Sequence, residues 1–221
     1  MSFDVVRELL KVIAVLTMTI DHVRVILLPE FLLLRVVGRI AVPLFCYLLV
    51  LGVEGTRNQR GYLVRLCSFG VVSQIPYFLA FGIEPFKQLN ILFTLFFGAS
   101  ALLLFQRRNV LLILPVLAAF ALNSEGGLYV IALIGCMQVL RENTELGVVV
   151  LFTLNTPFLM TGNIQFLSLA ALPLIVLHKD GWFRITRATT KDSAYFSWKK
   201  YFFYVYYPLH LATLFVISQL R

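Results

Sequence analysis

Asp21 and His22 stand side by side within the apolar run from Leu9 to Leu28. Ionisable groups at that depth cost roughly 2.5 to 3.5 kcal/mol each on insertion scales, so a chain keeps them where they meet a partner or a wet cavity. An imidazole there can serve as a general base or carry an acyl group, and a neighbouring carboxylate can orient it. Adjacent helical residues point ~100° apart, so the two cannot face one partner squarely. Asp21 either orients His22 or pairs with Arg24 or Arg39; an ion pair with Arg24 at the interface is the purely structural alternative. Arg39, in Gly38-Arg39-Ile40-Ala41-Val42-Pro43-Leu44-Phe45, is placed to steady a carboxylate or a developing oxyanion, or to anchor the helix at the interface. Arg35, one turn away, fits the anchor better. His210 follows Tyr204-Val205-Tyr206-Tyr207-Pro208-Leu209, and Pro208 frees a backbone carbonyl one turn earlier, which opens a polar pocket in a membrane helix.

A second constellation is cationic. Glu54-Gly55-Thr56-Arg57-Asn58 is followed by Arg60, Tyr62 and Arg65. Glu54 and Arg57, one turn apart, can pair, and the remaining arginines with Asn58 and Tyr62 suit a phosphate-bearing cosubstrate. Plain positive charge at a membrane surface is the alternative, and for Arg60 the better one. Asn90 with Thr94, and Ser73-Gln74 before Pro76, serve either a polar cavity or interhelical hydrogen bonding, and Tyr207 beside His210 is grouped with them. The chain has no His-Glu-x-x-His, Gly-x-Ser-x-Gly or Walker loop, and no cluster of carboxylates for a metal. Hydrolysis, phosphoryl transfer and ion pumping are weakened, and no metal is expected.

The elements that position these residues are membrane helices. The 221 residues are 60% hydrophobic and 14% charged, with a mean hydropathy of +0.88; so few charges cannot solvate the exterior of a soluble domain. The first run is long enough to span and lacks a small-residue cleavage site, so it is expected to stay in the mature protein. Nine runs are read as helices: 9–28, 36–54, 62–81, 90–105, 109–122, 127–140, 146–160, 164–178 and 201–219. The expected fold is therefore an all-α, polytopic membrane bundle of about nine transmembrane helices in one domain, 1–221. Alternation places fourteen of the nineteen Lys and Arg on one side, which predicts a cytoplasmic N-terminus and a periplasmic C-terminus. The excess charge is thereby assigned to the bilayer surface rather than to nucleic acid. Residues 179–200, with Trp182, Phe183, Tyr195, Phe196 and Trp198, are expected to be a cytoplasmic interfacial loop. Cys46, Cys67 and Cys136 fall in apolar runs and read as buried hydrophobes.

In order, these segments resemble the TraX family, the F-pilin acetylation proteins of conjugative plasmids and their bacterial relatives. The resemblance is carried by Leu-Lys-Val-Ile-Ala and Thr-Ile-Asp-His within 10–22, and by Gly-Arg-Ile-Ala-Val-Pro-Leu-Phe at 38–45. It continues in Glu-Gly-Thr-Arg-Asn at 54–58, Tyr-Leu-Val-Arg-Leu and Ser-Gln-Ile-Pro-Tyr within 62–77, and Asn-Ile-Leu-Phe-Thr-Leu at 90–95. Tyr-Pro-Leu-His-Leu at 207–211 completes it. Between 110 and 200 only the hydropathy matches.

The resemblance implies a bacterial inner-membrane enzyme that transfers acetyl from acetyl-CoA to the N-terminal amine of a pilin subunit. It leads to the expectation that Arg57, Arg65 and Arg60 hold the phosphates, with Glu54, Asn58 and Tyr62 around them. His22, oriented by Asp21 or another acceptor, is expected to take the amine proton, with Arg39 or His210 stabilising the oxyanion; in a variant, His22 or His210 carries the acetyl group. The alternatives are acylation of an extracytoplasmic glycan, or a non-enzymatic pilin-assembly or transport protein. A transporter is disfavoured by the lack of a convincing repeat.

Overall fold

The structure, a computed structural model, describes residues 2–181, 186–188 and 193–220, and the side chains of 5–181 and 201–220. Its helices are α1 (Val5–Ile26), α2 (Leu32–Gly38), α3 (Ala41–Gly55), α4 (Gln59–Phe81) and α5 (Ile91–Gln106), then α6 (Ile113–Ala121), α7 (Gly127–Glu142), α8 (Thr144–Met160), α9 (Leu172–Lys179) and α10 (Ser193–Gln219). Short 3-10 segments precede α6 at Val110–Leu112 and α9 at Ile164–Ala171. Among the described residues the extended structure is a pair of three-residue strands, β1 (Ser2–Asp4) antiparallel to β2 (Thr186–Ala188). It ties the N-terminus to the segment before α10.

Asparagine begins many of these helices. The side chains of Asn58, Asn90, Asn109, Asn143 and Asn163 each accept an amide two or three residues ahead, satisfying a donor that the helix cannot. At the other end of α4, Gly82 adopts φ +62° and closes the helix in the left-handed conformation. The apolar pattern then decides the packing. Leu44, Tyr47, Val50 and Val53 recur every third residue on α3 and are almost wholly enclosed, making α3 the centre of the bundle, packed by α1, α5 and α7. On α1 the face with Leu10, Ala14 and Met18 is buried, whereas Leu9, Val12 and Leu16 lie on the exterior. That apolar exterior recurs at Leu33, Val110 and Met160, as a lipid-facing surface requires. Three of the described helical stretches are long and apolar enough to cross a membrane: Leu32–Gly55, Gln59–Phe81 and Tyr201–Gln219.

Several expected boundaries move. The second run begins at Leu32 and breaks at Arg39 and Ile40, because Pro43 has no amide to give and is accommodated in the first turn of a new helix. The runs 109–122 and 164–178 each divide into a 3-10 turn and a helix of nine or eight residues. The expected loop 179–200 is corrected in its last part: no glycine or proline interrupts the chain from Ser193 to Tyr207, and α10 begins at Ser193. Residues 182–185 and 189–192 of that loop lie outside the described residues.

Candidate functional site

α1 and α10 bring His22 and His210 together, while the third histidine, His178 at the end of α9, meets the Tyr47 hydroxyl instead. His22 Nδ1 and His210 Nε2 are 2.7 Å apart, and the rings are nearly parallel, 6° apart in plane with centroids at 5.0 Å. The helices are fastened one turn earlier by Thr19 and the Tyr206 hydroxyl at 2.8 Å, and the Tyr206 ring stacks on His210. Phe81 packs edge-on against His22, and both imidazoles are over nine-tenths buried.

The hydrogen bonds dictate the proton positions. His210 Nδ1 lies 3.0 Å from the Tyr206 carbonyl, and a carbonyl only accepts, so Nδ1 carries the proton. Neutral His210 then offers Nε2 as acceptor, and His22 Nδ1 donates to it. The lone pair of His22 is left at Nε2. The chain from carbonyl through His210 to His22 thus presents one basic nitrogen, oriented from behind by a second imidazole.

Asp21 does not orient His22. Both of its carboxylate oxygens accept from Arg39 Nη2 at 2.9 Å, while Arg39 Nη1 donates to Gln165 Oε1 at 2.9 Å. Of the partners left open for Asp21, the structure selects Arg39, because the break between α2 and α3 swings the guanidinium over it. Gly38 makes this possible: a Cβ there would fall 2.4 Å from the Asp21 carboxylate. Glu125, in the loop between α6 and α7, is a further acidic group here. Its Oε2 accepts the Ile91 amide at 3.0 Å, and Thr94 donates to its backbone carbonyl at 2.6 Å. Burial pushes the Glu125 carboxyl up to about 7; the Ile91 amide opposes this, nearby Asp21 adds to it, and Arg39 opposes it.

A cavity of about 280 Å³ runs toward this region from the opposite, basic end of the bundle. Arg7, Lys11, Val15 and Met18 line it along one stripe of α1, and the same spacing leads next to His22, about 22 Å from Arg7 by helical rise. Tyr62 and Arg65 of α4 stand with Arg7 and Lys11, while Ile91 and Tyr207 lie with Met18 on its floor. The middle is apolar, walled by Phe45, Leu49, Leu66 and Leu95. Its volume is at the low end for a ligand pocket and suits a slender arm with its charged end at the mouth. The two histidines are one turn beyond the floor.

The residues expected to bind a cosubstrate therefore separate. Tyr62 and Arg65 line the cavity; Arg57 and Asn58 on the loop before α4, and Arg60 in its first turn, are exposed outside it. Asn58 caps α4 by accepting the Gly61 amide at 2.7 Å. The expected pairing of Glu54 with Arg57 is replaced by one with Arg141, at 3.1 Å, since α7 packs on α3. Asn90 and Gln74 form an internal staple, with Thr94 turned to the Glu125 carbonyl instead: Asn90 Nδ2 donates to Gln74 Oε1 and to the Gly70 carbonyl, both at 2.7 Å. Gln74 in turn donates to the Gln88 carbonyl at 2.7 Å. Arg7, Lys11 and Glu125 were missed from sequence. The stripe of positions 7, 11, 15, 18 and 22 is the signal for the first two, whereas Glu125 sits in a Ser-Glu-Gly-Gly break that reads as a loop.

Comparison with known proteins adds three findings. The family model described as TraX protein matches residues 6–218. A probable fimbrial assembly protein FimC, serogroup H1, of Dichelobacter nodosus is 29% identical over 231 residues, covering 93% of this chain and 92% of that protein. An uncharacterized protein of Rickettsia prowazekii is 34% identical over 100 residues, 45% of this chain and only 38% of that protein's length. No solved structure matches.

Proposed function

The chain belongs to the TraX family, and on that premise we propose that it is an inner-membrane acetyltransferase acting from acetyl-CoA on the N-terminal amine of a pilin subunit. The observation that carries this reading is the single stripe of α1 that runs from the cationic mouth at Arg7 and Lys11, through the cavity at Met18, to the basic nitrogen of His22. The name of the Dichelobacter relative, a probable fimbrial assembly protein, supports pilin as the acceptor. About nine membrane helices with the basic end cytoplasmic give the arrangement its sense, since acetyl-CoA is then on the side of Arg7, Lys11 and Arg65, and the C-terminus is periplasmic.

In this mechanism Arg65, Lys11 and Arg7 hold the phosphates at the mouth and the thioester arm occupies the apolar cavity. The pilin amine attacks the thioester carbonyl, and His22 Nε2 takes its proton. The imidazolium shares its Nδ1 proton with His210, which acts here as a positioning residue. Collapse of the tetrahedral intermediate expels the CoA thiolate, which receives the proton from His22. Arg39, held by Asp21 and Gln165, adds positive charge to the region, so Asp21 acts through Arg39.

The test is incubation of the purified protein with acetyl-CoA and a peptide bearing the pilin N-terminus, read by mass spectrometry. Addition of one acetyl group to the N-terminal amine, abolished in His22→Ala, supports the reading. Acetyl-CoA binding without transfer to peptide directs attention to a glycan acceptor, and pilin binding without acetyl-CoA binding would establish a non-enzymatic assembly factor.

A further inference from the structure

The oxyanion of the proposed reaction needs a hydrogen-bond donor, and the candidates at the cavity floor can be eliminated in turn. His210 is engaged at both ring nitrogens. Arg39 is not part of the cavity lining, and its two terminal nitrogens are given to Asp21 and Gln165. The start of α5 faces the floor, but the Ile91 amide is given to Glu125 and the Leu92 amide to Asn90. Tyr207 differs. It lines the floor, is 3% exposed, and its hydroxyl proton meets no acceptor within hydrogen-bond distance among the described residues. The Ile91 amide, given to Glu125, is also directed toward the Tyr207 oxygen, and Glu125 lies nearby; the Tyr207 ring touches both His22 and His210. A buried O–H with no acceptor is costly in an apolar interior, which a ligand oxygen would relieve. The positive end of the α5 dipole at the same spot favours an oxygen that acquires negative charge.

We propose that Tyr207 is a catalytic residue whose hydroxyl donates to the thioester carbonyl oxygen and to the oxyanion that forms from it. This rests on the acetyltransferase reading. As the amine nitrogen bonds to the carbonyl carbon, the carbonyl π pair moves onto oxygen and the Tyr207 O–H shortens its contact to it. As the carbon–sulfur bond breaks, the pair returns to re-form the carbonyl, the thiolate leaves, and the nitrogen's proton passes through His22 to sulfur. Tyr207 keeps its own proton throughout.

Tyr207→Phe retains the ring contacts and removes only the donor. The expected result is a fall in kcat of about 100- to 1,000-fold, with acetyl-CoA affinity within threefold of the parent and a thermal stability equal to or above the parent's. A kcat within threefold of the parent would overturn the proposal. The infrared stretch of bound acetyl-CoA carrying a labelled carbonyl reads the same bond without turnover. It should move to lower frequency in the parent and return toward the free value in Tyr207→Phe; no displacement in the parent also overturns it, even if the variant fails to fold. A parent protein that binds acetyl-CoA with the displaced carbonyl yet transfers nothing to pilin peptide contradicts the acceptor and leaves Tyr207 supported. A parent protein that binds no acetyl-CoA overturns both.

Discussion

Gly38 lies so close to Asp21 that a single methyl group at position 38 would reach to 2.4 Å of the Asp21 Cβ and Oδ1. The contact lets the chain turn from α2 into α3 directly above Asp21 and deliver Arg39 to its carboxylate. Gly38→Ala is therefore expected to push Asp21 off Arg39, with a loss of about 1–3 kcal/mol from overpacking. Thermal unfolding in detergent measures it, and combining Gly38→Ala with Asp21→Ala should recover part of the loss.

The histidine pair makes an asymmetric prediction. His22→Ala removes the basic nitrogen and is expected to lower acetyl transfer by roughly 100- to 10,000-fold. His210→Gln keeps an acceptor oxygen for the His22 Nδ1 proton and is expected to retain more activity than His210→Ala. Rates of peptide acetylation for the three variants decide it; equal loss in both His210 variants would show that His210 does more than position His22.

At the cavity mouth, loss of a charge-assisted contact costs about 1.5–3 kcal/mol, or roughly ten- to a hundredfold in affinity. Arg65→Ala and Lys11→Ala are expected to raise KM for acetyl-CoA on that scale with little change in kcat. Arg57→Ala and Arg60→Ala, exposed outside the cavity, are expected to raise it less. Steady-state kinetics against acetyl-CoA concentration separates the two pairs.

Glu125 predicts a pH dependence of stability. Its carboxyl is raised from 4.5 to about 7 in the fold, so between those values the folded chain holds a proton that the unfolded chain has lost. This contribution is complete below about pH 4.5 and is lost as pH rises through about 7. Glu125→Gln removes it, so the variant's unfolding temperature is expected to decline less across that interval than the parent's. Parallel melting curves would overturn the assignment.

Membrane character, helical class and most of the elements were legible in the sequence because they depend on local quantities: apolar runs, proline and glycine breaks, and asparagine at helix starts. The chemical prominence of Asp21, His22, Arg39 and His210 was legible for the same reason, since ionisable groups stand out against apolar neighbours. Their partners were not. Asp21 and His22 are consecutive, and nothing local indicates that one turns to Arg39 and the other to His210. Glu54 found Arg141 rather than nearby Arg57, and Arg57 and Arg60 stayed outside the cavity that Arg65 lines.

The sequence by itself determined that this chain is a membrane helix bundle of the TraX family with His22 and His210 set into its first and last apolar runs. It did so because hydropathy and helical periodicity are properties of neighbouring residues. Only tertiary structure decided that residues 22 and 210 share a hydrogen bond, that Asp21 serves Arg39, and that Arg7, Lys11 and Tyr207 line one cavity. Those facts arise where α1, α4, α5 and α10 pack, and packing depends on shape complementarity between segments far apart in the chain.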